Sequence, residues 1–268
     1  MADAARGQVV GSAAEVYESF FVPALFAQWP DTILHAAGVR AGVSVLDVGC
    51  GTGVLARAAQ RRVGKSGRVV GLDPNPGMLA VARRSGAPVE WVEGMAEALP
   101  FADGAFSAVV SQFAAMFFTD PRGAIREAYR VLEPGGGLAV ATWASIEQSP
   151  GYAAMLELLR REVGRAAAEA LLAPFTIGTV DELRDLIGTA FEDVEVTRHE
   201  GRARFPSLDS WLHTDIRGWT LAEEIDDDAY ENLLAAARVD LRAFVGPEGR
   251  VDFAAPALVA TARRATPP

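Results

Sequence analysis

The chain has 268 residues, half of them apolar and 22% charged, with a formal net charge of −10. That is material for one α/β domain with an elaboration, and the negative field repels nucleic-acid phosphate, so no nucleic-acid partner is expected. The single cysteine, Cys50, excludes an internal disulfide and a thiolate cage, and the three histidines (His35, His199 and His213) lack metal-ligand spacing, so no metal is expected.

No apolar run reaches the roughly 18 residues that span a membrane. The segment from Met1 to Phe20 has no apolar signal core, which predicts a cytoplasmic location. Residues of about 12–40 read as helical, with Val16, Phe20, Phe21, Leu25 and Phe26 near one stripe and a break at Pro23. Trp29 to Ala37 reads as a second helix, with Asp31 near its start. From Ser44 to Trp143, β-rich runs at 44–48, 68–73, 89–92, 105–111 and 138–143 alternate with helix-period segments near 53–63, 76–84 and 121–132. That rhythm predicts βαβ crossovers and a parallel sheet covered on both faces. Asn75-Pro76 and Asp120-Pro121 each place a capping side chain before a proline at the first helical position. Glu133-Pro134-Gly135-Gly136-Gly137 stops the third helix and turns into the next strand.

Beyond Trp143 the rhythm changes. Residues 149–174 read as one helix with an Ala-rich continuation, and Thr179-Val180-Asp181-Glu182 is a capping box before a helix at 182–189. Segments 194–205 and 253–262 read as strands, whereas 211–219 and 229–244 read as helices, the latter capped by Asp227 or Asp228. The acidic run from Glu223 to Asp228 is a solvated helix start. The chain thus divides into an N-terminal helical segment, 1–40, and a main domain, 41–268, with insertions at about 145–178 and 206–246.

The chemistry begins where the first strand ends. Asp47 opens into Gly49-Cys50-Gly51-Thr52-Gly53 before a helix. Glycines there permit positive φ and close ligand approach, and the helix presents unpaired N–H groups. Such a loop serves several nucleotides. The second strand ends in Asp73, twenty positions beyond Gly53, where an acid can bond both ribose hydroxyls of an adenosine. A nicotinamide fingerprint would need a third glycine where Val54 stands, and no Lys-Ser/Thr pair follows for a P-loop.

The segment from Val45 to Gly53 resembles the first motif of class I S-adenosylmethionine (SAM)-dependent methyltransferases, and that from Gly71 to Leu79 their second. The segment from Gly94 to Phe101 is similar to their adenine-side loop, and that from Arg130 to Gly136 to the turn before the fifth strand. Four motifs in order over about 100 residues place the resemblance in the methyltransferase type 11 group, like the ubiquinone/menaquinone methyltransferases of the bacterial small-molecule branch. It implies a Rossmann-like, seven-stranded, mostly parallel sheet with N-terminal helices and a helical cap over the strand ends. It implies SAM as cofactor, held at the methionine end by Asp47, Gly49, Cys50, Gly51, Thr52 and Gly53. Asp73 would hold the ribose beside Pro74 and Met78, with Gly94, Met95 and Ala96 around the adenine. Ser111, Gln112 and Phe113 would flank the sulfonium, and Tyr17 and Phe20 would close over the cofactor. Two positions depart from the pattern, because Met95 and Ser107 stand where acids are common. Met78 is equally readable as core, Cys50 as a small loop residue, and Asp47 as a loop organiser.

The resemblance implies methyl transfer to a small, fairly apolar acceptor. An acceptor that must lose a proton needs a base, and His213 is the candidate, with His199 and His35 behind it. The aromatic content around the crevice (Phe20, Phe21, Phe26, Trp29, Tyr152, Phe175, Trp211 and Trp219) fits an apolar acceptor, although some of these rings must be core. A SAM-binding protein of this fold without methyl transfer, a nicotinamide oxidoreductase and a non-catalytic partner are the alternatives.

Overall fold

The computed structural model describes residues 11–217 and 225–266. Its centre is a seven-stranded sheet in the order β3-β2-β1-β4-β5-β9-β6. The strands are β1 Ser44–Val48, β2 Arg68–Asp73, β3 Glu90–Glu93, β4 Phe106–Gln112, β5 Leu132–Trp143, β6 Glu195–His199 and β9 Ala257–Arg263. β1 pairs in parallel with β2 on one side and β4 on the other, while β9 runs antiparallel between β5 and β6. The expected α/β class and the mostly parallel sheet are therefore present.

Alternation builds the two layers. In β1, Val45 faces one apolar core and Leu46 and Val48 face the other, the period of two that a doubly covered strand requires. Helices α2 (Pro30–Ala36) and α3 (Val54–Val63) fill the first layer; α5 (Pro121–Val131) and α8 (Val180–Ile187) fill the second. The caps expected from sequence are made. The Asn75 side chain accepts from the Gly77 and Met78 amides before α4 (Pro76–Arg84), Asp120 accepts from Gly123 N, and Thr179 and Glu182 form a reciprocal box.

Several expected boundaries are corrected. Pro23 does not break the N-terminal helix. After α1 (Gly11–Val16) the chain widens into a π-helical stretch, Tyr17–Phe26, that carries Pro23 inside it, and the looser ladder has room for a residue without an N–H. β3 and β4 each start one residue later than expected, and the pairing of β5 with β4 already begins at Leu132, with an irregularity opposite Phe106/Ala108. The helix expected over 149–174 is two, α6 (Pro150–Glu162) and α7 (Arg165–Leu172). Asp226, rather than Asp227 or Asp228, caps α10 (Asp227–Asp240) by accepting from Ala229 N. The expected helix at 211–219 is α9 (Leu208–Leu212) followed by a π-helical turn, His213–Arg217; Trp219 lies outside the described residues.

The two long strands expected at 194–205 and 253–262 are both broken, and at the same level. β7 (Arg202–Phe205) pairs with β8 (Val251–Ala254) in a separate two-stranded sheet, while β6 and β9 stay in the main one. The four strands form a single antiparallel ribbon bent in the middle, where Ala255 N donates to Gly201 O at 2.9 Å. Pro256 can donate no ladder bond there. A Cβ on Gly201 would stand 2.2 Å from the Trp29 ring, so the bend needs glycine. The outer half of the ribbon, with α6, α7, α9 and α10, forms a helical cover packed on Tyr152, Trp211 and Phe253.

Candidate functional site

The strand order reverses between β1 and β4, which opens a crevice at the carboxyl ends of the strands. The loop after β1 enters it with Gly49, Gly51 and Gly53 at φ of 71°, 53° and 90°. Its start is fixed to β2 because the Gly49 and Cys50 amides both donate to Leu72 O, at 2.8 and 3.0 Å. Side chains cannot replace these glycines. A Cβ on Gly49 would lie 2.4 Å from Ala114 Cβ, and one on Gly53 would lie 2.4 Å from the Trp91 ring. Asp73 closes the cradle, with Oδ2 accepting from Gly51 N at 2.8 Å and Oδ1 from Asn75 N at 2.9 Å. Burial pushes the Asp73 carboxyl up, while those two amides pull it back.

A cavity of about 500 Å³ runs from this cradle outward. Tyr17, Gly49, Gly51, Asp73, Pro74 and Met78 line it, as do Met95, Ala96, Gln112 and Phe113. Met78 is also 93% covered, so it is core as well as cavity wall. The other expected cofactor residues stand one layer behind. Ser111 Oγ donates to Val48 O at 2.8 Å, Gly94 N donates to Asp73 O at 3.2 Å, and Cys50 and Thr52 are buried in the loop. Gly53 abuts Trp91. Asp47 is 1% exposed, and both its oxygens are sealed without a hydrogen-bond partner among the described residues. Burial pushes its carboxyl up to about 8, relieved somewhat by the Ala56 amide and raised further by Asp73. Ser107, where an acid is common, is structural: its amide donates to Ser44 Oγ at 3.0 Å.

Beyond the cradle the walls turn aromatic. Phe113 and Trp143 stack with centroids 3.9 Å apart and planes 12° from parallel. Among the described residues Phe113 is the non-glycine with positive φ, 54°, a costly conformation that aims the ring onto Trp143. Phe21, Phe26, Tyr152 and Phe175 complete this chamber. Tyr17 stacks on Phe26 at 5.2 Å, and its helix is tied down by Glu18, which accepts from Arg57 at 2.8 Å; Arg57 also donates to Thr52 O.

The structure does not bring His213 to this chamber. The side chain is exposed, its ring lies edge-on to Phe20 at 6.0 Å, and neither residue lines the cavity. His35 is exposed, and His199 bonds Thr197 Oγ1 at 2.8 Å on the far strand. Trp29 and Trp211 are core. Three polar residues were missed. Glu97 lines the cavity and accepts from the Thr119 and Asp120 amides at 2.7 and 3.0 Å. Asn75 lines it as well as capping α4. Asp215 is 2% exposed, with neither oxygen in full hydrogen-bond geometry among the described residues, and burial pushes its carboxyl up to about 8, eased by the Trp211 indole N–H. The i, i+4 step from Trp211 to Asp215 was the available signal, since it puts the acid on the same face as a large apolar ring.

The sheet order, the glycine cradle and the acid that ends β2 are arranged as in the fold of class I SAM-dependent methyltransferases, and residues 46–140 match the methyltransferase domain family. The cofactor that this match indicates is SAM. The chain is 45% identical over 118 residues to the ubiquinone/menaquinone biosynthesis C-methyltransferase UbiE of Hahella chejuensis, a match covering 42% of this chain and 47% of that protein. The chain thus spans about half the length of the curated relatives it matches. Among solved structures, the YcgJ protein of Bacillus subtilis superposes with a TM-score of 0.59 at 20% identity, over 89% of this chain and 98% of that one. The 4+2 cyclase SpnF superposes with a TM-score of 0.54 at 18% identity, over 90% of this chain and 82% of that one. These structural likenesses concern the fold. The residues present suit the cofactor, because each Asp73 oxygen holds only one amide and can accept a further donor from a ribose.

Proposed function

We propose that the protein transfers the methyl group of SAM to a small, largely apolar acceptor held in the aromatic chamber. The observation that carries this is continuity: one cavity joins the Gly49–Gly51–Asp73 cradle to walls made by Phe26, Phe113, Trp143 and Phe175. SAM supplies an electrophilic methyl on a sulfonium. The chain's part is to orient the acceptor toward the cradle and exclude water, and proximity of this kind supplies a large share of such rate enhancements. The glycine loop and Asp73 set one end of that geometry, and the Phe113–Trp143 stack sets the other. In this reading the described part of residues 1–40 covers the cofactor side, while the described parts of the segments at about 145–178 and 206–246 cover the acceptor side. The net charge of −10 supports a small-molecule rather than a nucleic-acid acceptor, and a cytoplasmic setting suits both. His213→Ala should leave turnover unchanged across pH, since the ring stands outside the chamber.

The test has two arms. Calorimetry should show SAM and S-adenosylhomocysteine binding to the wild type, and a strong loss for Asp73→Ala. Methyl-labelled SAM should then pass label to an apolar, solvent-extractable compound. Failure of the wild type to bind SAM would overturn the reading. Binding with label transfer to no small molecule would favour the alternative of a SAM-binding fold with another reaction.

A further inference from the structure

Tyr152 is the polar side chain that the helical cover contributes to the chamber; its companions there, Leu171, Pro174 and Phe175, are apolar. The ring is held from several sides, by Phe253 at 5.3 Å, Phe175 at 5.7 Å and Trp211 at 6.2 Å, edge-on or tilted. It is 6% exposed, yet its hydroxyl makes no hydrogen bond to any described residue and is not among the sealed polar atoms. A phenylalanine would pack the same rings without a hydroxyl to desolvate, and buried polar groups in folded proteins are almost always paired. The missing partner must therefore come from the cavity that the residue lines.

We infer that Tyr152 is the specificity-determining residue of the acceptor chamber, donating its O–H to a carbonyl or hydroxyl oxygen on an otherwise apolar, uncharged acceptor. This deepens the proposed function and rests on it. The polarity of the contact follows from the surroundings. Burial, and then the charge of the Asp215 carboxyl, push the Tyr152 phenol well above its ordinary value, so it stays an O–H donor and does not serve as a base. Among the described residues the chamber walls, Phe26, Phe113, Trp143 and Phe175 among them, offer no cation to an acidic acceptor. An anionic acceptor would be desolvated there without a counter-charge. The acceptor is thus a neutral compound with a flat or compact apolar body and one oxygen placed to meet the hydroxyl.

The test uses two neutral probes of nearly the same shape, acetophenone and α-methylstyrene, which differ in a carbonyl oxygen replaced by a methylene. Each is titrated into the full chain loaded with S-adenosylhomocysteine, by displacement of the fluorescent probe N-phenyl-1-naphthylamine. Tyr152→Phe should weaken acetophenone about five- to tenfold, the worth of one buried hydrogen bond, and leave α-methylstyrene within about twofold. Equal changes for both probes, or no change for either, would overturn the assignment. Unaltered S-adenosylhomocysteine affinity in Tyr152→Phe establishes that the fold and the cradle are intact. If neither probe binds the loaded wild type, the inference falls together with the apolar-acceptor reading. If the cofactor product itself fails to bind, the failure lies in the cradle instead.

Discussion

Replacing Asp215 by asparagine removes a titration while keeping the side-chain volume, and the effect on stability should grow with pH. The folded carboxyl is raised to about 8 by burial, whereas an unfolded chain titrates at the ordinary value of 3.8. A folded value above the unfolded one means that the native state holds a proton that the unfolded state has lost. Stability from this group is therefore complete below about pH 4 and is lost as pH rises toward 8. Each pH unit in that window is worth about 1.4 kcal/mol, so the gap sets a ceiling of about 6 kcal/mol, reduced by any relaxation that lets water reach the carboxyl. Asp215→Asn escapes this loss. Urea unfolding of both proteins at pH 5, 6, 7 and 8 should give a stability difference that moves in favour of the variant by about 1 kcal/mol per unit and levels off above pH 8. A difference that is constant across the series would refute the burial argument. It would mean that Asp215 is ionised in the native state, held by the Trp211 indole N–H or by water.

Asp73→Asn keeps one acceptor oxygen and loses the charge, so S-adenosylhomocysteine should bind about 10- to 100-fold more weakly by calorimetry, as expected for lost bonds to a charged group. Phe113→Gly should be more stable than Phe113→Ala by about 1 kcal/mol in thermal or urea unfolding, because both lose the ring but only glycine is at ease at φ 54°. Gly201→Ala should cost about 1–3 kcal/mol by forcing a methyl to within 2.2 Å of the Trp29 ring, with a lowered melting temperature as the readout.

What was legible from sequence was what local chemistry decides. β1 and β2 have the expected limits because a glycine loop follows one and a proline-capped helix the other. The caps at Asn75, Asp120 and Thr179 also depend on neighbours two or three residues away. The errors arise where distant parts of the chain intervene. Pro256 marks the break in one strand, but nothing near Gly201 in sequence announces Trp29, whose ring packs against the bend of the other. Asp226, Asp227 and Asp228 are chemically equal candidates, and only the backbone path selects the first. Ten of the expected cofactor residues line the cavity, because the motifs carry their own geometry. His213 and Asp215 show the limit of that approach. Two residues apart on one turn, they diverge, with the histidine exposed and the acid sealed inside. The i, i+4 step from Trp211 was the sign that Asp215, and not His213, faces inward.

The bent ribbon has a consequence for how such a protein can be rebuilt. Its two strands complete the central sheet with their inner halves and found the cover with their outer halves, so the cover is not a detachable module hung on one loop. A transplant of acceptor preference from another protein would need paired junctions, one at Glu200-Gly201 and one at Ala255-Pro256, with Trp29 or an equally flat partner kept beneath them. A graft joined at only one of these points would leave an outer strand without its mate, exposing a raw edge on which chains can associate.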